Sequence, residues 1–538
     1  MKTKLTRVGT LFLAILTMSS CDLTYFDGEI QEVSWDGALA IPVGYVEYSV
    51  SELLEDVSSD DLDISSNDQG VITFLYNQEV ASQGFGDAIE IGNQSFVIDL
   101  EIPEEDFALP IAITETQEFY KELYIAPFSE NNEELTKAFF DGGTIQITAK
   151  TNITSQSNID VEIPTFISTL DDSPLSFSAS FDGSSNTEVV RVFDLSDFYG
   201  DFTKTVSGEA SYNTILMDIS IELIRQIGDQ FGPGSYFEFS VLLNGVQTTL
   251  IYGDFKTQTI SVDATSLEFD AFDAFGDGEL LFADPVISMT FENSFGIPMG
   301  IDLSGISAVG ADGTIRLDGP ITDNLQDINA PAVGAEGTSV SSLIEINNTN
   351  SNIADLISSK PSEFLVDLAV YTNPDDMDPN ENFLDNSSTI QGAVQVEIPM
   401  AVTFENIPMD QVIDFDLGSD LDNLGDLRIN IHSTNTMPMG GSVVLEFLDG
   451  SDTVLFATES IDMFSPAPVD AEGKSSGAAE DSSVVEFDQG DVNLMSLTKS
   501  IRVTAYLNTT DAASDQVVML LDSDSLRIDL SALIKINL

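Results

Sequence analysis

The sequence predicts an all-β chain, organised as tandem β-sandwich domains of the immunoglobulin-like or a related kind with few short helices. Three observations carry this. Runs of alternating apolar and polar residues recur along the chain, and a period of two with β-branched and aromatic residues marks half-buried strands. Turn residues punctuate the runs: Ile-Pro or Met-Pro recurs at 41–42, 102–103, 163–164, 297–298, 398–399, 407–408 and 437–438, and proline, with no N–H for a ladder, belongs at strand ends, bulges or edges. Three stretches also share one ordered set of landmarks, which short matches do not produce by chance in the same order.

Taken in chain order, residues 31–103 form an N-terminal β unit with strands in "GVITFLYN" (70–77) and "SFVIDLEIP" (95–103), and "YVEYSVSELLEDV" (45–57) reads as a helix. The first repeat, 104–223, contains "TIQITAK" (144–150); the second, 224–399, contains "YFEFSVLLNGVQTTLIY" (236–252), where Asn244–Gly245 predicts a type I′ hairpin because both positions need positive φ. A short helix with Ser351 as N-cap is expected at 351–359, and "VQVEIPMAVTF" (394–404) leads into the third repeat, 400–538, with "SVVLEFLDG" (442–450) and "LRIDLSALIKI" (526–536). The landmarks that relate the repeats are a strand ending in Asn ("TIQITAKTN", "VISMTFEN", "LRINIHSTN"), then Ser-Ser-x-x-Glu at 184–188, 341–345 and 482–486, then a run ending in Asn213, Asn373 or Asn508. The second and third copies also share "NSFGIPMG" with "NTMPMGG" and "APAVGAEGTS" with "PAPVDAEGKS". Units of roughly 120 to 180 residues are too long for solenoid or propeller repeats, so they read as separate domains.

Composition narrows the partners. The chain has 91 acidic and 18 basic residues, a net charge of −73, which repels nucleic acid and anionic headgroups. Disorder is not expected, because 42% of the residues are hydrophobic and 34 are Phe. The single cysteine excludes disulfides within the chain. That cysteine, Cys21, follows Lys2, Lys4 and Arg7, an apolar run from Val8 to Met18, and Ser19–Ser20. This is the order of an export signal whose apolar part is too short to span a bilayer. Residues 1–20 read as a lipoprotein signal peptide, Cys21 as the lipid attachment point and 21–30 as a tether. Two or three acyl chains on the cysteine would fix the protein to the membrane.

Catalytic signatures are sparse. His432, the single histidine, alternates with Ile429 and Ile431 and is expected to face solvent. A Ser-His-Asp arrangement has no Gly-x-Ser-x-Gly elbow to support it, and a carboxylate pair cannot be picked from 91 acids. Calcium is the better-motivated ligand: "DMDPNEN" (376–382) sets Asp376, Asp378, Asn380 and Asn382 at alternate positions, a spacing that can fold hard oxygen donors round one ion. Glu381 stands where an EF-hand requires Gly, Ser387 where it requires a closing Glu, and the same residue types build polar turns. "SDDLDISSND" (59–68) is a weaker stretch of that kind.

The lipobox, the acidic all-β repeats and the opening "ALAIPVGYVEYSVSELLED" (38–56) together resemble multidomain all-β lipoproteins of the Bacteroidota cell envelope. The resemblance implies an envelope location, lipid-anchored at the outer membrane on its periplasmic or outer face, and carries over no catalytic residue. Asp22 suggests inner-membrane retention under one sorting rule, while Asp22, Asp27 and Glu29 suggest surface export under another. The leading expectation is a non-catalytic binding or scaffold module for a protein or glycan partner. The alternatives are a surface polysaccharide-binding lipoprotein of an uptake system and a carboxylate-based hydrolase. With Trp35 as its only tryptophan, the acidic surface is a poor sugar-stacking platform unless Phe and Tyr substitute.

Overall fold

The computed structural model describes residues 38–50, 62–84, 91–126, 132–183, 188–209, 211–261, 264–268, 279–310, 313–375, 381–415 and 424–536. It is an all-β protein of several antiparallel sheets, with α-helix among these residues confined to Ile353–Ser358 and Gln489–Met495 apart from Val50. Three sets of strands repeat one pairing scheme. In the last set, strand Leu424–Asn435 lies between Ala479–Phe487 and Ser525–Ile536, and Met439–Leu448 pairs with Ser500–Thr509, which pairs with Ile407–Asp414. In the middle set Val286–Asn293 lies between Val340–Ile346 and Thr389–Pro399, while Met299–Asp302 pairs with Ala369–Thr372 and that strand with Thr259–Ser261. In the first, Glu134–Thr151 lies between Glu188–Asp194 and Ser235–Asp254, and Gln156–Ser168 pairs with Thr214–Arg225, which pairs with Ile113–Tyr124.

The N-terminal segment is not a separate unit. Its strands add one by one to the three sets in reverse order: Ala38–Ser49 pairs with Ser525–Ile536, Ile72–Gly84 with Thr389–Pro399, and Gln94–Ile102 with Ser235–Asp254. Each addition covers the free edge of the last strand of its set, so one strap supplies the backbone partners that three sheet edges would otherwise leave to solvent. The boundaries expected at 103/104 and 223/224 therefore fall within one sheet: Gln94–Ile102, Thr214–Arg225 and Ser235–Asp254 all belong to the same ten-stranded sheet. Alternation in a sequence reveals which face of a strand is buried but not which strand is its partner.

Buried asparagines stitch the second and third units at the point where the first strand leaves the sheet; in the first unit the corresponding Asn152 is exposed. Asn293 and Asn435 are both fully buried. Asn293 Oδ1 accepts the N–H of Phe295 (2.9 Å) and its Nδ2 donates to the carbonyls of Ile297 and Asn329. Asn435 does the same with the N–H of Met437 (2.9 Å) and the carbonyls of Met439 and Ser465. The two sets match position by position, and Asn329 and Ser465 each immediately precede the related "APAVGAEGTS" and "PAPVDAEGKS" loops. The Ser-Ser-x-x-Glu strands agree in face as well: Ile344 and Val485 point into the core, while Ser341, Ser482, Glu345 and Glu486 are exposed. Ser184 lies outside the described residues, but Glu188–Asp194 holds the corresponding place beside Glu134–Thr151. The third landmark is offset: Met299 pairs with Thr372 and Met439 with Thr509, so the counterpart of Asn373 is Thr510 and not Asn508.

All seven Ile-Pro and Met-Pro sites fall where proline can be accommodated. Pro42 and Pro164 sit at register shifts, Pro103 follows a strand, Pro298 and Pro438 precede one, Pro399 ends one, and Pro408 is on an edge strand. Two local expectations fail. Asn244–Gly245 makes no hairpin: Ser235–Asp254 is one continuous strand with a bulge after Asn244. Gly245 (φ 62°) meets Gly143 (φ 102°) of the paired strand so closely that a Cβ on Gly143 would lie 2.7 Å from the Gly245 carbonyl oxygen, so the glycines let two long strands bend together instead of reversing one. In the predicted helix 45–57, Tyr45–Ser49 is strand, held in register against Ser525–Asp529, because ladder pairing outweighs local helix propensity; residues 51–57 lie outside the described residues. The short helix occurs as Ile353–Ser358, but its N-cap is Asn352 and not the expected Ser351, whose Oγ accepts the Ile353 N–H from one residue further out.

The inward faces form one continuous apolar core. Ile145, Ile147, Phe237 and Phe239 fill it in the first unit, Ile287, Met289 and Val396 in the second, and Ile429, Ile431 and Phe447 in the third. Each such side chain contributes on the order of 1.5–3 kcal/mol by leaving water.

Candidate functional site

Cys21 and three of the four residues of the calcium pattern, Asp376, Asp378 and Asn380, lie outside the described residues. Asn382 is buried in strand Asn382–Asp385. Its Oδ1 accepts the Phe255 N–H (3.2 Å) and Nδ2 of Asn373 (3.0 Å), while its own Nδ2 donates to Asn373 Oδ1 (2.9 Å). The side chain is thus half of a reciprocal amide pair that closes the interior, and its oxygen is committed to N–H donors. In the 59–68 stretch, Asn67 Oδ1 accepts the N–H groups of Gln69 and Val71, an Asx turn that uses the oxygen locally.

His432 faces solvent, as its alternation predicts. The sheet brings Ser482 and Asp529 beside it from the two flanking strands. Its Nδ1 lies 3.1 Å from Ser482 Oγ and 3.0 Å from the Asp481 carbonyl. Asp529 is held instead by Arg527, which makes two hydrogen bonds to it (2.9 and 3.0 Å), stacks over Tyr45 at 4.1 Å, and keeps the Asp529 carboxyl below its usual range. The row has a base beside a hydroxyl, but the third group is turned to a guanidinium. As a nucleophilic site it also wants donors for a developing oxyanion, and the strand that carries His432 has its backbone paired on both sides.

Aromatic rings gather at Phe139, Tyr199 and Tyr252, with Phe139 and Tyr199 stacked at 5.6 Å. Lys137 lies over both stacked rings at 4.7 and 4.9 Å, occupying the faces a sugar would use. Tyr252 donates to Glu336 (2.8 Å), and burial followed by that contact pushes its hydroxyl up to about 12.

A cleft of about 510 Å³ opens in the third unit, between residues 456–462 and 483–487. Five consecutive strand residues, Ser483 to Phe487, line it. Only the edge of a strand can present residues of both faces to one space. Phe456 stands at the base, stacked on buried Phe447 at 4.2 Å and edge-on to buried Phe487 at 6.4 Å. Glu459, Asp462, Glu486 and Asp491 supply carboxylates, and Arg428 approaches Glu486 at 3.6 Å. The Ser483 hydroxyl donates to the Asp462 carbonyl and closes one end. At the other end the helix Gln489–Met495 is fixed by a capping box in which Asp488 and Asp491 bond each other's backbone. The size suits a ligand site. Sequence reading misses it because its walls are two strand edges, and alternation carries no signal for which edge stays open.

No protein-family model matches the chain, and no curated protein matches it. Among solved structures it is similar to a "putative secreted protein" from Parabacteroides distasonis, with 13% identity and a TM-score of 0.31 over 53% of this chain and 88% of that one. Two viral structures follow at lower similarity: infectious bursal disease virus, 9% identical with a TM-score of 0.16 over 81% of this chain and 83% of that one, and Desmodium yellow mottle tymovirus, 6% identical with a TM-score of 0.14 over 29% and 87%.

Proposed function

We propose that the chain is a non-catalytic binding and scaffold protein of the cell envelope, tethered by acyl chains on Cys21. The observation that carries this reading is the strap. The segment that follows the tether contributes a strand to each of three sheets. A load on the anchor is therefore shared among ladders in all three units, as a scaffold needs. Export and lipidation are supported by the ordered basic, apolar and small residues before the only cysteine. Among the described residues no helix is long and apolar enough to cross a membrane, in keeping with attachment through acyl chains. The test is fractionation of cells expressing the wild type and Cys21→Ser. The wild type is expected in the membrane fraction and the variant in the soluble fraction with an unchanged circular-dichroism spectrum; a variant that stays with membranes overturns the tether.

A further inference from the structure

We propose that the open edge of Ala479–Phe487 takes up an extended basic segment of a partner protein as an added β-strand. This deepens the binding reading above by naming the place and the chemistry of the partner. Among the described residues, Ala479–Phe487 is paired on one side only, with Leu424–Asn435. Its other edge faces the cleft along Ser483–Phe487. An edge of this kind leaves alternate N–H and C=O groups directed outward, the template that strand addition uses. Five residues at ~3.3 Å each give about 16 Å of edge, enough for a short segment to enter in register.

The lining sets the side chains of the guest. Those of an added strand alternate between the two faces. On the inner face they meet Phe456 and Phe487, which suits apolar residues. On the outer face they meet Glu486, with Glu459 and Asp462 across the cleft, which suits Lys or Arg. Arg428 is the nearby cation and is turned to Glu486. The net charge of −73 steers basic chains toward the protein, but steering alone has no preference for one strand edge. The same molecule uses strand addition three times on the opposite edges of its sheets, through the strap.

The experiment uses the purified full chain and a fluorescent eight-residue peptide that alternates Lys with Val, with a Glu–Val peptide as control and fluorescence anisotropy as readout. The Lys–Val probe is expected to bind and the Glu–Val probe not to. Glu459→Lys/Glu486→Lys should weaken binding at least ~10-fold, while Asp99→Lys/Glu101→Lys, an equal charge change on an exposed face elsewhere, should weaken it no more than ~2-fold. Methylating alternate backbone nitrogens of the probe should weaken it ~10-fold, because strand addition depends on those N–H groups. Amide exchange at 483–487 should slow when the probe is bound. Absence of binding, equal loss in both double variants, or indifference to N-methylation overturns the proposal. So does self-association that the cleft variant abolishes, which would make a second copy the occupant. None of these outcomes depends on whether Cys21 anchors the protein.

Discussion

Arg225, 2% exposed, grips both carboxylate oxygens of Glu105, with Nη1 2.7 Å from Oε1 and Nη2 on Oε2. Its guanidinium also lies 3.8 Å from the Phe231 ring, and Glu115 approaches at 3.5 Å. Glu105 in turn accepts the Phe231 N–H, so the pair joins the residues just after the strap's last strand to the turn before Ser235–Asp254.

Glu105→Gln should therefore cost about 2–4 kcal/mol, because a buried guanidinium loses its main counter-charge while Glu115 compensates only in part. The hydrogen bond from Arg225 holds the Glu105 carboxyl below its ordinary 4.5. A depressed carboxyl contributes stability that is present above the unfolded value and lost as pH falls through the folded one. Urea titrations at neutral and acid pH should thus show the gap between wild type and Glu105→Gln narrowing as pH drops below about 4.5; a gap that is constant with pH would deny the pair its electrostatic role.

Much of this local grammar was legible beforehand. The alternating runs located most long strands, the Xaa-Pro sites located their ends, bulges and edges, and Asn293 with Asn435 marked matching exits from the sheet. The strap was not legible, because a strand such as Gln94–Ile102 carries the same alternation whether it pairs with its neighbour in sequence or with Ser235–Asp254. Asn244–Gly245 misled for a related reason. A glycine that lets a chain reverse also lets two strands bend past each other, and only the facing Gly143 decides between them. The cleft escaped notice because an open edge is defined by the partner that is missing.

Asp524 should give the opposite pH response to Glu105. It is buried where the strap meets the third unit, with its carbonyl accepting the Val50 N–H and its carboxylate accepting Ser475 Oγ (2.8 Å) and the Leu521 N–H (3.1 Å). Burial, with Asp522 adding repulsion, outweighs those donors and raises its carboxyl above the ordinary 3.8. The fold then binds the proton more tightly than the unfolded chain, so this group's contribution is full below 3.8 and is lost as pH rises through the folded value. General repulsion among 91 acids falls in the same direction as pH drops, which makes the difference between variants the informative quantity. Asp524→Asn should lose less stability than wild type between about pH 4 and about pH 7 in thermal melts. Parallel curves would mean that Asp524 titrates alike in both states.

The strap itself is testable by supplying its strands separately. A chain lacking 38–103 should expose one sheet edge in each unit, and amide exchange should quicken in Ser525–Ile536, Thr389–Pro399 and Ser235–Asp254, the three strands the strap covers. Exposed edges also promote edge-to-edge association, so the truncated chain should aggregate more readily than the whole one. A synthetic peptide of residues 72–84 should then slow exchange in Thr389–Pro399 and leave the other two strands fast, because its register runs from Thr73 opposite Pro399 to Gly84 opposite Thr389. A peptide of 94–102 should act on Ser235–Asp254 alone, where Ile102 faces Ser235 and Gln94 faces Leu243. Selectivity of this kind follows from register, since each strand buries one face and a slip by one residue would turn that face outward. If either peptide protected all three strands equally, the strap would be a generic β-former and not an addressed set of donor strands.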